Sequence, residues 1–154
     1  MSIRKAEPRD IPRIMELLSQ VLEVHAAGRP DLFKSGTTKY SPHELGEIIA
    51  DSERPIFVAE HDEVVRGYAF CVFQRHEEHN APRYTTLYID DLCVDESSRG
   101  MHVGSALYGH VLKFAKESGC YNVTLNVWAC NESAMRFYEK CGLQVQKIGM
   151  EKIL

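Results

Sequence analysis

The sequence has no apolar run near the ~20 residues that a membrane-spanning helix needs. It opens on Met-Ser-Ile-Arg-Lys-Ala-Glu, with none of the apolar stretch of a secretion signal, so a cytoplasmic protein is expected. It has no Cys-x-x-Cys pair. Its five cysteines, Cys71, Cys93, Cys120, Cys130 and Cys141, are odd in number and scattered, which speaks against a disulfide framework. Most fall in apolar patterns, and reduced thiols are expected. There is no excess of positive charge: the net charge is −4, which disfavours nucleic acid and suits a cationic partner. Repeats and low-complexity stretches are absent. So are the Gly-Lys-Ser/Thr of a Walker loop and the three-glycine fingerprint of dinucleotide sites. His76-Glu77-Glu78-His79 resembles a metal cluster but has no supporting Cys or His nearby, so no metal is expected.

What is present is an ordinary globular composition, 44% hydrophobic and 26% charged, in a chain long enough to bury a core as one domain over 1–154. A short strand around Ile3 comes first. From Asp10, apolar residues recur at Ile11, Ile14, Leu17, Leu18, Val21 and Leu22, a helical period that Gly28-Arg29-Pro30 ends. Residues 29–40 form a connection carrying Phe33 and Tyr40. Ser41-Pro42-His43-Glu44 reads as a capping box opening a second helix with Leu45, Ile48 and Ile49. Strands are expected over 56–60 and 64–73, with a turn at Asp62-Glu63 and a bulge at Gly67. A charged loop follows over 74–83, then a strand over 85–94. A helix over 104–118 ends at Gly119, and a strand over 123–128 precedes a helix capped by Asn131 and ended by Gly142. The tail, 143–154, can supply one or two last strands. The order βααβββαβαβ predicts an α/β fold with a mixed sheet and helices on its faces.

One stretch says more than the rest. Val94-Asp95-Glu96-Ser97-Ser98-Arg99-Gly100-Met101-His102-Val103-Gly104-Ser105 leads from an apolar strand through a polar turn into a helix. A helix start leaves N–H groups unpaired and carries the positive end of the helix dipole. Glycines let a phosphate come close to them, so the stretch reads as a pyrophosphate cradle.

A second constellation is Asn131-x-x-Ala134-x-x-Phe137-Tyr138-x-x-x-Gly142-Leu143. Together the two resemble the GNAT superfamily of acyl-CoA-dependent N-acetyltransferases. The family's pyrophosphate motif, Arg/Gln-x-x-Gly-x-Gly/Ala, reads here Arg99-Gly100-Met101-His102-Val103-Gly104. The resemblance covers essentially the whole chain. It implies a mostly antiparallel central sheet with helices on both faces. His102 departs from the usual glycine. Its backbone N–H can still serve a phosphate, and its ring is either a neutral variant or an added donor.

The resemblance implies acetyl-CoA as co-substrate, held by Arg99 to Ser105, including Met101, Val103 and Gly104. The pantetheine arm would pair with Leu92, Cys93 and Val94 where two strands splay, with Cys93 a core thiol that need not react. Asn131 would cap its helix and contact the arm. Tyr138 would protonate the departing thiolate, since a phenol with a pKa of about 10 is protonated at neutral pH.

Asp90 and Asp91 are unusual in an otherwise apolar strand. The polyamine-acetylating branch has a similar pair. On that likeness Asp90 takes the proton of the amine, directly or through water, although a salt-bridged strand-end acid remains open. Strand alternation would put Asp91 on the opposite face. Asp91, Phe33 and Tyr40 are candidate acceptor contacts. No residue stands out as a covalent nucleophile, so direct attack in a ternary complex is expected. The acceptor would be a primary amine, a small cationic one fitting best. A peptide or protein amine, or a non-catalytic acyl-CoA sensor, is the alternative. A homodimer is one assembly the chain could form.

Overall fold

The computed structural model describes all residues, 1–154. Its elements are β1 (Ser2–Lys5), α1 (Ile11–Gly28), α2 (Pro42–Ile49), β2 (Ile56–His61), β3 (Val64–His76), β4 (Tyr84–Val94), α3 (Val103–Glu117), β5 (Asn122–Leu125) and α4 (Glu132–Lys140). The five strands form one sheet in sequence order. All neighbours are antiparallel except β4 and β5, which are parallel because α3 carries the chain across.

Each face of the sheet is covered. Ile14, Leu17 and Leu18 of α1 and Leu45 and Ile48 of α2 pack on Val58, Tyr68 and Phe70. Leu107, Val111 and Ala115 of α3 pack on Phe57, Ala69, Leu87 and Ile89 of the other face. The 3–4 residue spacing along the helices and the alternation along the strands direct these side chains inward. The capping box at α2 forms in both directions: Ser41 Oγ accepts from Glu44 N–H, and Glu44 Oε1 accepts from Ser41 N–H.

Two bulges shape the sheet. At Ala59/Glu60 the partners on β3 are Gly67 and Val65, so Arg66 is the extra residue. Gly67 is needed there, since a Cβ would lie 2.7 Å from the Cys93 carbonyl oxygen. At Phe70/Cys71 the partners on β4 are Asp91 and Ile89, so Asp90 is the extra residue.

Three segments differ from the sequence expectation. Residues 74–76 are strand rather than loop: Gln74, Arg75 and His76 pair with Thr86, Thr85 and Tyr84, and the His76 ring stacks 4.2 Å from Tyr84. Backbone pairing to β4 outweighs their polarity. β5 stops at Leu125, short of Trp128. The tail forms no strand, because residues 144–154 make no backbone–backbone hydrogen bond.

Candidate active site

β4 pairs with β5 only from Thr86 to Ile89. From Asp90 to Val94 it keeps β3 on one edge and has no strand on the other. The two parallel strands thus splay, leaving the backbone of Leu92, Cys93 and Val94 with a free edge. Side chains there are spoken for: Cys93 is buried, its Sγ 3.6 Å from the Leu17 carbonyl, and burial pushes its thiol up to about 12.

The splay opens onto a cleft of about 430 Å³ that brings the two sequence constellations together. Val94, Ser98, Arg99, Gly100, His102, Val103, Gly104 and Ser105 line one side, and Phe137, Lys140 and Cys141 the other. Of the cradle residues, Met101 alone is outside this lining, and it is exposed. No side chain caps the start of α3, so its first N–H groups are left to face an anion. His102 occupies the left-handed region, φ 58 and ψ 27. That conformation accounts for the glycine the motif usually carries there. Gly100 has φ +87 with open space where a Cβ would be. Gly104 serves packing: a Cβ would meet the Phe137 ring at 3.1 Å.

Two lining residues, Ser98 within the cradle stretch and Lys140 on α4, are not singled out by the sequence. Ser98 is 1% exposed, and its Oγ has no hydrogen-bond partner. A buried unpaired hydroxyl at the cleft is a donor left over for a ligand. Lys140 comes from the last turn of α4 and adds a cation opposite Arg99. An uncapped helix start, two cations, an orphan hydroxyl and a free strand edge suit an anionic ligand with an extended arm, which is the chemistry of acetyl-CoA.

The turn before α3 is held by Asp95. Its carboxylate accepts from Ser97 Oγ (2.6 Å), Arg13 Nη2 (2.8 Å) and Gln20 Nε2 (3.0 Å). These bonds lower its pKa to about 2. Arg13 also donates to the Val65 carbonyl, so α1 is tied both to the start of β3 and, through Asp95, to the exit of β4.

At the other end of the splay lies the acidic pair. Because Asp90 is the bulged residue, alternation breaks and both carboxylates lie on the α1/α2 face, which corrects the expectation of opposite faces. Asp90 accepts from Lys39 Nζ (2.9 Å) and from the Tyr40 hydroxyl (2.7 Å), and Tyr40 stacks on Phe70. Asp91 accepts from the Tyr68 hydroxyl at 2.6 Å. Burial raises Asp91 to about 6, against the lowering effect of the Tyr68 hydrogen bond.

Tyr138, on α4, is half-buried, and its hydroxyl has no hydrogen-bond partner. Burial and then the nearby Asp91 push its pKa well above the usual phenol value. It therefore stays protonated and close to the acidic pair. Asn131 Oδ1 caps α4 by accepting from Ala134 N–H at 3.2 Å, leaving its amide nitrogen unengaged. Phe33 does not join the pair. It packs between His25 (5.0 Å) and Trp128 (5.4 Å) beyond the end of β5. Tyr68 and Tyr88, whose hydroxyl accepts from Asn126 Nδ2, are site-facing residues that strand periodicity did not single out.

This arrangement, a splayed parallel pair ending at an anion cradle, defines an acyl-CoA-dependent N-acetyltransferase. A model of the acetyltransferase (GNAT) family matches residues 18–143, and the chain belongs to that family. It is 27% identical over 148 residues to a 5-NmdU N-acetyltransferase of Pseudomonas phage PaMx11, covering 93% of this chain and 86% of that protein. Among solved structures it is similar to a variant of the BH1408 protein from Bacillus halodurans, with TM-score 0.95, 28% identity and coverage of 100% and 99%. It is also similar to the glucosamine-6-phosphate N-acetyltransferase of Arabidopsis thaliana, with TM-score 0.72, 25% identity and coverage of 99% and 97%.

Proposed function

We propose that this protein acetylates a small cationic primary amine by direct attack in a ternary complex. The observation that carries the reading is Lys39. Its primary ammonium sits on Asp90 at 2.9 Å, beside Tyr40, and supports an acceptor of the same cationic chemistry at this end of the site. The Lys39 side chain is about half exposed, so an incoming ammonium can displace it.

When bound, acetyl-CoA supplies an activated acetyl thioester. The chain's own groups do the rest. The α3 N–H groups, Ser98, Arg99 and Lys140 hold the anionic end, and the free edge of β4 with the Asn131 amide orients the arm. An N–H of the free β4 edge would hold the thioester carbonyl and supply stabilisation for the charge that develops there. Tyr138 donates a proton to the leaving thiolate. The acidic pair takes a proton from the ammonium, which at a pKa near 10 arrives charged.

Within the pair, the sequence reading gave the proton to Asp90, directly or through water. One observation favours Asp91 instead: a carboxylate near pKa 6 beside Tyr138 is better matched to accept a proton at neutral pH than one engaged by Lys39 and Tyr40. Asp90 then binds the cation. The buried thiols Cys71 and Cys93 are both pushed up to about 12, which supports direct attack over an acyl-cysteine route.

The test is thiol release from acetyl-CoA with a panel of diamines and polyamines, neutral amines, glucosamine 6-phosphate and peptides. Diamines and polyamines should turn over best, and Asp90→Asn should raise KM for them far more than it lowers kcat. Preference for anionic amines or for peptides would overturn the acceptor class. Tight binding of acetyl-CoA with no turnover on any amine would indicate a sensor.

A further inference from the structure

Given the catalytic reading, on which this step rests, we propose that Lys39 is a site of self-acetylation: the chain transfers the acetyl group of a bound acetyl-CoA to its own Lys39 amine. Lys39 lies on the connection between α1 and α2, and its Nζ is 2.9 Å from Asp90 Oδ1. The Tyr40 hydroxyl donates to the other oxygen of the same carboxylate at 2.7 Å. The chain thus holds a primary amine of its own on the acidic pair, where an acceptor amine has to sit.

No other lysine is placed in this way. Only Lys39 and Lys113 form ion pairs, and Lys113 meets an exposed Glu117 one turn along α3 at 3.9 Å. The Asp90 carboxylate is largely buried by comparison. The Lys39 charge is directed inward. It adds to burial in lowering the pKa of His25, and it opposes the rise that burial gives Asp91. After burial, Asp91 is in turn the main cause of the raised pKa of Tyr138. Amine, proton acceptor and proton donor therefore form one run of groups: Lys39, Asp90, Asp91, Tyr138. The Lys39 side chain is about half exposed on a flexible alkyl stem, which leaves the amine free to swing from Asp90 towards the splayed strands. An amine tethered beside the group that takes its proton reacts at a high effective concentration.

The step balances with the groups already named. Asp91 takes one proton from the Lys39 ammonium. The freed lone pair on Nζ forms the new C–N bond to the acetyl carbonyl carbon, and the C–S bond to CoA breaks. Tyr138 gives its proton to the departing sulfur. The products are Nε-acetylated Lys39 and CoA with a free thiol. One proton goes to water as Asp91 ionises again and Tyr138 regains its own. The acetylated side chain is a neutral amide and no longer pairs with Asp90 as an ammonium does. Tyr40 keeps one oxygen of Asp90, and the other becomes open to a cationic acceptor. Self-acetylation thus removes a resident competitor and readies the site for free amines.

The experiment incubates the whole unacetylated chain with isotopically labelled acetyl-CoA and no added amine, and follows each lysine by peptide mass spectrometry. Label should appear on Lys39 well ahead of the exposed Lys34, Lys147 and Lys152, which report chemical acetylation. Its rate should be independent of protein concentration, as befits transfer within one chain. It should fall about 10²–10⁴-fold in Tyr138→Phe and be slowed by excess diamine. Lys39→Gln, a neutral stand-in for the product, should lower the KM for diamines a few-fold, whereas Lys39→Arg keeps a cation on Asp90 and should not. Labelling of Lys39 no faster than of the three exposed lysines, labelling indifferent to Tyr138→Phe, or a rate that climbs with protein concentration would each overturn the proposal. Thiol release with diamines on the same preparations separates it from the catalytic reading. Diamine turnover with Lys39 unlabelled overturns self-acetylation alone. Acetyl-CoA bound with no transfer to any amine overturns the catalytic reading, and self-acetylation with it.

Discussion

Replacing Asp91 with asparagine separates what this carboxylate does for the fold from what it does for the reaction. Its pKa is raised from 3.8 to about 6, chiefly by burial. A raised carboxylate favours its protonated form in the folded state. The associated stability is complete below the unfolded pKa near 4 and is lost as pH rises through about 6. At pH 8 the ionised group therefore costs about 2.2 × 1.36, or roughly 3 kcal/mol. Asparagine removes that cost while keeping an oxygen for the Tyr68 hydroxyl, which now sits 2.6 Å from the carboxylate. A neutral acceptor makes a weaker bond, by roughly 1 kcal/mol. The expected gain is about 2 kcal/mol at pH 8, or roughly 4–8 °C in Tm for a chain of this size. Thermal melts at pH 8, 6 and 4.5 check it: the gain should shrink through pH 6 and be gone near pH 4.5. In parallel, the variant should lose turnover together with the acid limb of kcat/KM near pH 6. A variant that melts no higher than the parent at pH 8, or that keeps the acid limb, would refute the assignment of a strained, proton-accepting carboxylate to Asp91.

Other expectations follow from the same geometry. Tyr138→Phe should keep acetyl-CoA affinity, read by calorimetry, while turnover falls about 10²–10⁴-fold; unchanged turnover would reduce Tyr138 to packing. His102→Gly relieves a left-handed residue at the start of α3 and should raise the urea midpoint by the equivalent of about 1 kcal/mol. Asp95→Asn should destabilise by roughly 2–4 kcal/mol, since it weakens a carboxylate bonded to Ser97, Arg13 and Gln20. Asp95 is a lowered group, so its roughly 2 kcal/mol is present above pH 4 and lost as pH falls through about 2. Acid unfolding of this variant should accordingly depend less on pH in that window. Acetyl-CoA at a hundredfold above its Kd should stabilise the parent by roughly 2.7 kcal/mol, and a melt indifferent to it would place the cleft's ligand elsewhere.

Much of this protein is written in short-range pattern. The α1 period, the Ser41–Glu44 capping box, the Asn131 cap and the glycine at the end of α3 each depend on residues within a turn of one another. Steric and hydrogen-bonding rules act over that distance whatever the fold, so these elements were readable from the chain alone. The two motifs were readable for the same reason, because each is one strand-to-helix or helix segment.

Only tertiary pairing decided the rest. Strand alternation placed Asp90 and Asp91 on opposite faces, but register against β3 inserted Asp90 as a bulge and turned both carboxylates to one side. Register is a property of two strands distant in sequence, and no local period encodes it. The same holds for the cleft. Ser98 and Lys140 are unremarkable polar residues until α3 and α4 are packed side by side, and the splay beyond Ile89 exists only because β5 ends where it does. The tail is the limiting case. Its residues could supply a strand, but nothing pairs with it, because a strand is completed by its neighbour and not by its own sequence.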